Sequence, residues 1–196
     1  MYLIFDATPI TKPRDYQAPF SDTFAWPRLI HLSWILLGEN LKPIEDYDCV
    51  IKPEGFSLSP AIAKYARIDE EELKQKGENL EDVLNQFASS VDKATYTIAH
   101  NMNVQEKVVA AEYIRKNIHP NLFSTERVCL MQEATFFAKI PSKRGGYKWP
   151  TQSELYALLF NQRYSPAGNA RADVIATARS FIMLKKGGKL DDLFEE

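Results

Sequence analysis

Asp6, His100, Asn101 and Asp173 are the side chains whose types and surroundings in this 196-residue sequence point to chemistry. Asp6 follows a short apolar run, Tyr2 to Phe5, that reads as a strand buried in a parallel sheet and ended by the carboxylate. His100 and Asn101 close a second such run, TYTIAH, and Asp173 lies near a helix start behind the turn that begins at Gly168. Open α/β sheets bind ligands beyond the carboxyl ends of their strands, so two strand ends and one helix start can converge on one cleft. A lone carboxylate does little catalytic work, and the question is which group partners Asp6.

A second candidate is the segment KIPSKRGGYKW, residues 139–149. It carries Lys139, Lys143, Arg144 and Lys148 without an acid and interleaves Tyr147 and Trp149, a pattern suited to phosphate contact with base stacking. The alternative is a solvated loop with Trp149 buried. The tail KLDDLFEE is acidic around Leu193 and Phe194 and is read as a frayed terminus, although LDDLF faintly resembles peptides that dock on bacterial sliding clamps. His31 falls within a strand and reads as a satisfied core or face residue.

The elements that must position these groups follow from local pattern. A Pro-, Asp- and Ser-bearing loop, 9–22, leads to a strand over Leu29 to Leu37, and YDCVIKP predicts a third strand ended by Pro53. Ser59 before Pro60 and Asn79 before LEDVLNQFASSV are helix starts. Asn103 is a candidate cap for a helix whose Val104, Val108 and Ala111 share a stripe, and RVCLM predicts a fifth strand. Thr151 with Glu154 forms a capping box, and Asn169 can cap a last long helix. The order βββαβαβαα predicts an α/β fold: a mixed five-stranded sheet flanked by helices.

Length and charge bound the rest. The chain suits a single core, and 24 basic against 26 acidic side chains leave a formal charge of −2, so bulk charge gives no support for nucleic-acid binding beyond a local patch. Cys49 and Cys129 sit in apolar segments and read as reduced thiols. Neither a signal peptide nor a run of about 18 apolar residues is apparent, so the expectation is a cytoplasmic protein without a membrane span.

The stretches LIFDAT, WPRLIHLSW, VIKPEGFSLSP, IAHNMNVQEKV, GYKWPTQSELY and ADVIATARSF are similar, in order and spacing, to those of the DnaQ-like (DEDDh) 3′–5′ exonucleases. That family has a ribonuclease H-like fold and includes the proofreading subunit of bacterial replicative polymerases. The resemblance runs from Tyr2 to about Leu184 and implies an exonuclease-like domain over 1–187 with a tail at 188–196. It also implies two Mg²⁺ or Mn²⁺ ions, about 3.5–4 Å apart, held by four acidic residues, with a histidine that takes a proton from the attacking water.

This sequence departs from the family at the positions that matter most. Asp6 remains, but Thr8 stands where the family has glutamate; His100 and Asn101 remain, but Val104-Gln105 replaces Phe-Asp; Asp173 remains, but Gly168 replaces the histidine five residues before it. Ala66-Arg67-Ile68 stands where the family has His-Gly-Ile. Glu106 is no substitute, because one step along a helix turns a side chain by about 100°.

The resemblance with these departures implies a degenerate exonuclease homologue without hydrolysis, binding a nucleic-acid end or a protein partner. Asn101, Lys139, Lys143, Arg144 and Lys148 are the nucleic-acid-binding candidates. The alternative is a residual or altered 3′–5′ exonuclease on DNA or RNA that holds one Mg²⁺ or Mn²⁺ at Asp6 and Asp173.

Overall fold

A computed structural model describes residues 1–119, 121–164 and 168–194. Its sheet contains β1 (Tyr2–Pro9), β2 (Leu29–Leu37), β3 (Pro43–Val50), β4 (Tyr96–Ala99) and β5 (Glu126–Cys129), in the spatial order β3-β2-β1-β4-β5. β1, β2 and β3 pair antiparallel, while β4 pairs parallel to β1 and β5 parallel to β4. The helices are α1 (Pro60–Ala66), α2 (Glu70–Lys76), α3 (Leu80–Val91), α4 (Met102–Arg115), α5 (Leu130–Glu133), α6 (Thr135–Ala138), α7 (Gln152–Phe160) and α8 (Ala170–Lys186).

The two faces of the sheet are read off β1. Side chains alternate along a strand, so Leu3, Phe5 and Ala7 enter the core built with α3 and α4, while Tyr2 and Ile4 enter the core built with α8. Continuing that alternation places Asp6 and Thr8 on the α8 face. A third, smaller cluster of Ile30, Leu58, Ala66, Ile68 and Leu73 seats α1 and α2.

The caps form as their residue types require. Ser59 and Asn79 accept the backbone N–H groups of Ile62, and of Glu81 and Asp82. Thr151 and Glu154 make a reciprocal capping box, and Asn169 Oδ1 accepts from Ala172 N at 3.2 Å.

Several expectations change. β1 does not end at Asp6: its parallel pairing with β4 stops at Ile4, but antiparallel pairing with β2 carries the strand on to Pro9. β3 lies earlier than YDCVIKP, because the register of β2 brings Leu37 opposite Pro43. α4 starts at Met102, with Asn101 at its N-cap in the left-handed conformation (φ 64°) without a side-chain cap bond, and Asn103 lies exposed in its first turn. RVCLM is strand only to Cys129, and Leu130 opens α5.

The tail is docked rather than frayed through Phe194. That ring lies 4.8 Å from Tyr96 and 5.5 Å from Tyr2 between centroids, with the Lys185 ammonium 4.1 Å from its own centroid. Glu195 and Glu196 lie outside the described residues. Among those residues no helix is long and apolar enough to cross a membrane.

Candidate functional site

The three polar points do converge. Asp6, Thr8, His100, Asn101, Gln105, Gly168 and Asp173 line one cavity of about 620 Å³, with Lys12, Tyr16 and Ile62 also on its walls. They reach it from several elements: Asp6 and Thr8 from β1, Gln105 from the start of α4, and Asp173 from the first turn of α8. α8 is tethered across the sheet by the Arg171–Asp46 ion pair, in which Nη2 meets Oδ2 at 3.0 Å. At the other edge, Asn169 Nδ2 donates to the carbonyl of Ala66 at 2.8 Å, fastening the end of α1 to the start of α8.

Asp6 and Asp173 are both buried and repel one another. Burial, with the neighbouring Asp173 charge as the second cause, raises the Asp6 pKa well above the usual carboxylate range. Burial also raises that of Asp173, against the opposing effect of two hydrogen-bond donors and of His31. Those donors are the Tyr164 hydroxyl, which makes a short bond to Oδ1, and Gly168 N, 2.6 Å from Oδ2. Gln105 Nε2 donates to Asp6 Oδ2 at 3.2 Å, while Gln105 Oε1 accepts from Ala7 N at 2.6 Å. Thr8 Oγ1 donates to the carbonyl of Gly168 at 3.3 Å, joining β1 to the turn before α8.

The donor set does not fit a pair of divalent ions. Three of the four oxygens of Asp6 and Asp173 accept from protein donors. Thr8 and Gln105 add no charge, and the amide donors of Gln105 would face a cation. Glu106, the acid that follows Gln105, pairs with Arg127 of β5 at 3.2 Å.

His100 is bonded into the wall of the cavity. Its Nε2 lies 3.1 Å from the carbonyl of Pro150, and burial lowers its pKa to about 4. This contact ties Pro150, the residue after the 139–149 segment, to a residue of the cavity wall. The segment itself is a hairpin, with Pro141 bridged to Tyr147 and Gly145 and Gly146 at positive φ. Trp149 is 57% exposed and Tyr147 46%, so the reading with Trp149 buried does not hold. Lys139, Lys143 and Arg144 are exposed and make no ion pair among the described residues. Lys148 differs from them, because its ammonium bonds both oxygens of Glu154 at 2.6 and 2.8 Å.

Two residues of the site carried no sequence signal. Tyr164 lies outside every motif and is reached only by folding. His31 stands opposite Thr8 in the β1–β2 register and so shares the α8 face; its Nε2 meets Asp48 Oδ1 at 2.6 Å, while its buried Nδ1 has no partner among the described residues. The pairing of His31 with Thr8 is the signal that a hairpin register would have exposed.

The mixed five-stranded sheet with helices on its faces is the ribonuclease H-like α/β fold. No family model and no curated protein matches the sequence, so the likeness is carried by three-dimensional structure. The chain is similar to E. coli exonuclease I in complex with a dA16 oligonucleotide, with TM-score 0.72 and 18% identity over 98% of this chain and 42% of that one. A zinc-bound E. coli exonuclease I–single-stranded DNA complex gives TM-score 0.73 at 18% identity, over 98% and 42%. A further exonuclease I structure gives 0.74 at 19%, over 98% and 43%. The chain thus spans about two-fifths of the length of these exonuclease I chains.

Proposed function

We propose that this chain is a degenerate 3′–5′ exonuclease homologue that has lost hydrolysis and binds the end of a nucleic-acid strand in the cavity at Asp6. The observation that carries the reading is the state of the two acids: Gln105, Tyr164 and Gly168 N occupy the carboxylate oxygens that would otherwise face metal and phosphate. Removing one member of a cooperating catalytic unit abolishes most of its activity, and here Thr8, Gln105 and Gly168 replace three members of the family's set. The working domain is 1–187. Asn101 in the cavity and Lys139, Lys143 and Arg144 on the adjacent hairpin contact the strand, with Lys148 bracing that hairpin through Glu154. The oligonucleotides held by the exonuclease I structures support this choice of ligand.

The test is incubation of the full chain and of Asp6→Asn with 3′-labelled single- and double-stranded DNA and RNA, in Mg²⁺ and in Mn²⁺. Retention of every substrate intact, with binding by both proteins, is the expected result. Trimming by the wild type that disappears in Asp6→Asn would overturn it. That outcome belongs to the second reading, a residual metal-dependent exonuclease, which the mutual repulsion of Asp6 and Asp173 favours because a cation would relieve it. Failure to bind any nucleic acid would turn attention to a protein partner.

A further inference from the structure

The loop between β1 and β2 folds into a second hollow, of about 360 Å³, that shares Thr11 and Lys12 with the main cavity. Lys12, Arg14, Arg28 and Arg115 line it and, among the described residues, no acid does. These four cations divide into a fixed wall and a free rim. In the wall, Arg28 Nε meets the fully buried Glu112 at 2.9 Å and Arg115 Nη1 meets it at 3.1 Å. Arg115 Nη2 also donates to the carbonyls of Thr23 and Trp26, at 2.6 and 2.5 Å, so this loop is held in place by a buried ion cluster.

The rim has no such employment. Lys12 and Arg14 are exposed and make no ion pair among the described residues. The loop's own acids are turned to the backbone: Asp15 accepts from Gln17 N and Asp22 from Phe24 N. Arg14 lies 3.8 Å from the centroid of Phe24, a ring that is itself 76% exposed. A cationic concavity beside an exposed aromatic face has the chemistry to hold a phosphate and stack a base.

The geometry points to a second phosphate-recognising subsite, in which Lys12 and Arg14 hold a phosphate group and Phe24 offers a face to a base. A strand whose end lies in the main cavity would pass over Lys12 into this hollow. The phosphate chemistry stands on the hollow alone, whereas its source in a polynucleotide rests on the function proposed above.

Fluorescence anisotropy with labelled oligothymidylates of about 4 and about 12 nucleotides, over a range of salt, tests it in the full chain, Lys12→Ala/Arg14→Ala and Phe24→Ala. Titration calorimetry with inorganic phosphate forms a second arm. All three substituted side chains are exposed, so unchanged melting is the control on folding.

The expected result is that the double variant binds the longer oligomer with a salt slope reduced by about 0.7 per lost contact. Phe24→Ala should weaken it about tenfold at unchanged slope. Unaltered affinity and slope in the double variant overturn the subsite while leaving the main-cavity reading intact. If the wild type binds no oligomer but binds phosphate in a manner that Lys12 and Arg14 control, the subsite stands and the polynucleotide reading falls. If it binds neither, the subsite is overturned too.

Discussion

Gln105 clamps Asp6 to the backbone of its own strand: the amide nitrogen donates to Asp6 Oδ2 at 3.2 Å and the amide oxygen accepts from Ala7 N at 2.6 Å. Only a carboxamide meets both demands, since a carboxylate offers no donor. Gln105→Glu therefore keeps the bond to Ala7 N but sets a third acid against Asp6. It should lower stability at pH 7 by about 1–3 kcal/mol, measured by urea unfolding, with a smaller loss at pH 5 as the carboxyls protonate. Equal losses at both pH values would show that repulsion is not the cause.

Asp6 gives a pH dependence of definite sign. Its folded pKa is raised, so the folded state binds the proton more tightly than the unfolded one. This contribution to stability falls as pH rises from the ordinary carboxylate range towards the raised value. Asp6→Asn removes it and should melt higher than wild type at pH 7. Each tenfold gain in proton affinity on folding corresponds to about 1.4 kcal/mol, and each kcal/mol to about 2–4 °C for a chain of this size. A melting point at pH 7 equal to or below that of wild type would contradict this.

His100 acts in the opposite direction. Burial lowers its folded pKa to about 4, so its contribution is intact above the ordinary histidine value and is lost as pH falls from about 6.5 to about 4. His100→Gln retains a donor for the carbonyl of Pro150. Unfolding free energies measured between these limits should show a flatter profile in the variant, by about 3 kcal/mol across the window.

Added acids should raise cation affinity before they affect hydrolysis. Thr8→Glu with Gln105→Asp places two further carboxylates beside Asp6 and Asp173, and calorimetry should find Mn²⁺ bound at least about tenfold more tightly than by wild type. No turnover is expected from this double variant, because position 168 still lacks a base. Gly168 has φ 95°, where a side chain is strained by about 1–3 kcal/mol, so histidine cannot enter there at no cost.

The hairpin cations should separate by role. Lys143→Ala with Arg144→Ala should reduce the salt slope of oligonucleotide binding by about 0.7 per contact without altering the melting point. Lys148→Ala should instead remove a bond to the capping-box Glu154 and lower stability by about 0.2–1 kcal/mol. The reverse pattern would assign Lys148 to the ligand.

Short-range physics made much of this legible. Apolar runs, prolines and capping side chains act within a few residues, and they placed β2, β4, α3, α7 and α8 as observed. They failed where a neighbouring strand decided the outcome: β1 outlasts Asp6 because β2 keeps pairing with it, and β3 is shifted by the same partner. The tail failed for a related reason, since the aromatic pocket that receives Phe194 is assembled from Tyr2, Tyr96 and Phe181.

The sequence by itself determined which chemical groups stand at the motif positions: two acids, and a threonine, a glutamine and a glycine where the exonucleases it resembles have charge or a base. Residue type is a property of the chain and needs no fold to be read. Only the tertiary structure decided what those groups do to one another, because the bonds from Gln105 to Ala7 and from Thr8 to Gly168 close over separations of 98 and 160 residues. Contacts of that range exist only once the strand order and the seating of α4 and α8 are fixed. That is why neither the Tyr164 hydroxyl on Asp173 nor the place of His31 beneath α8 had any local signature.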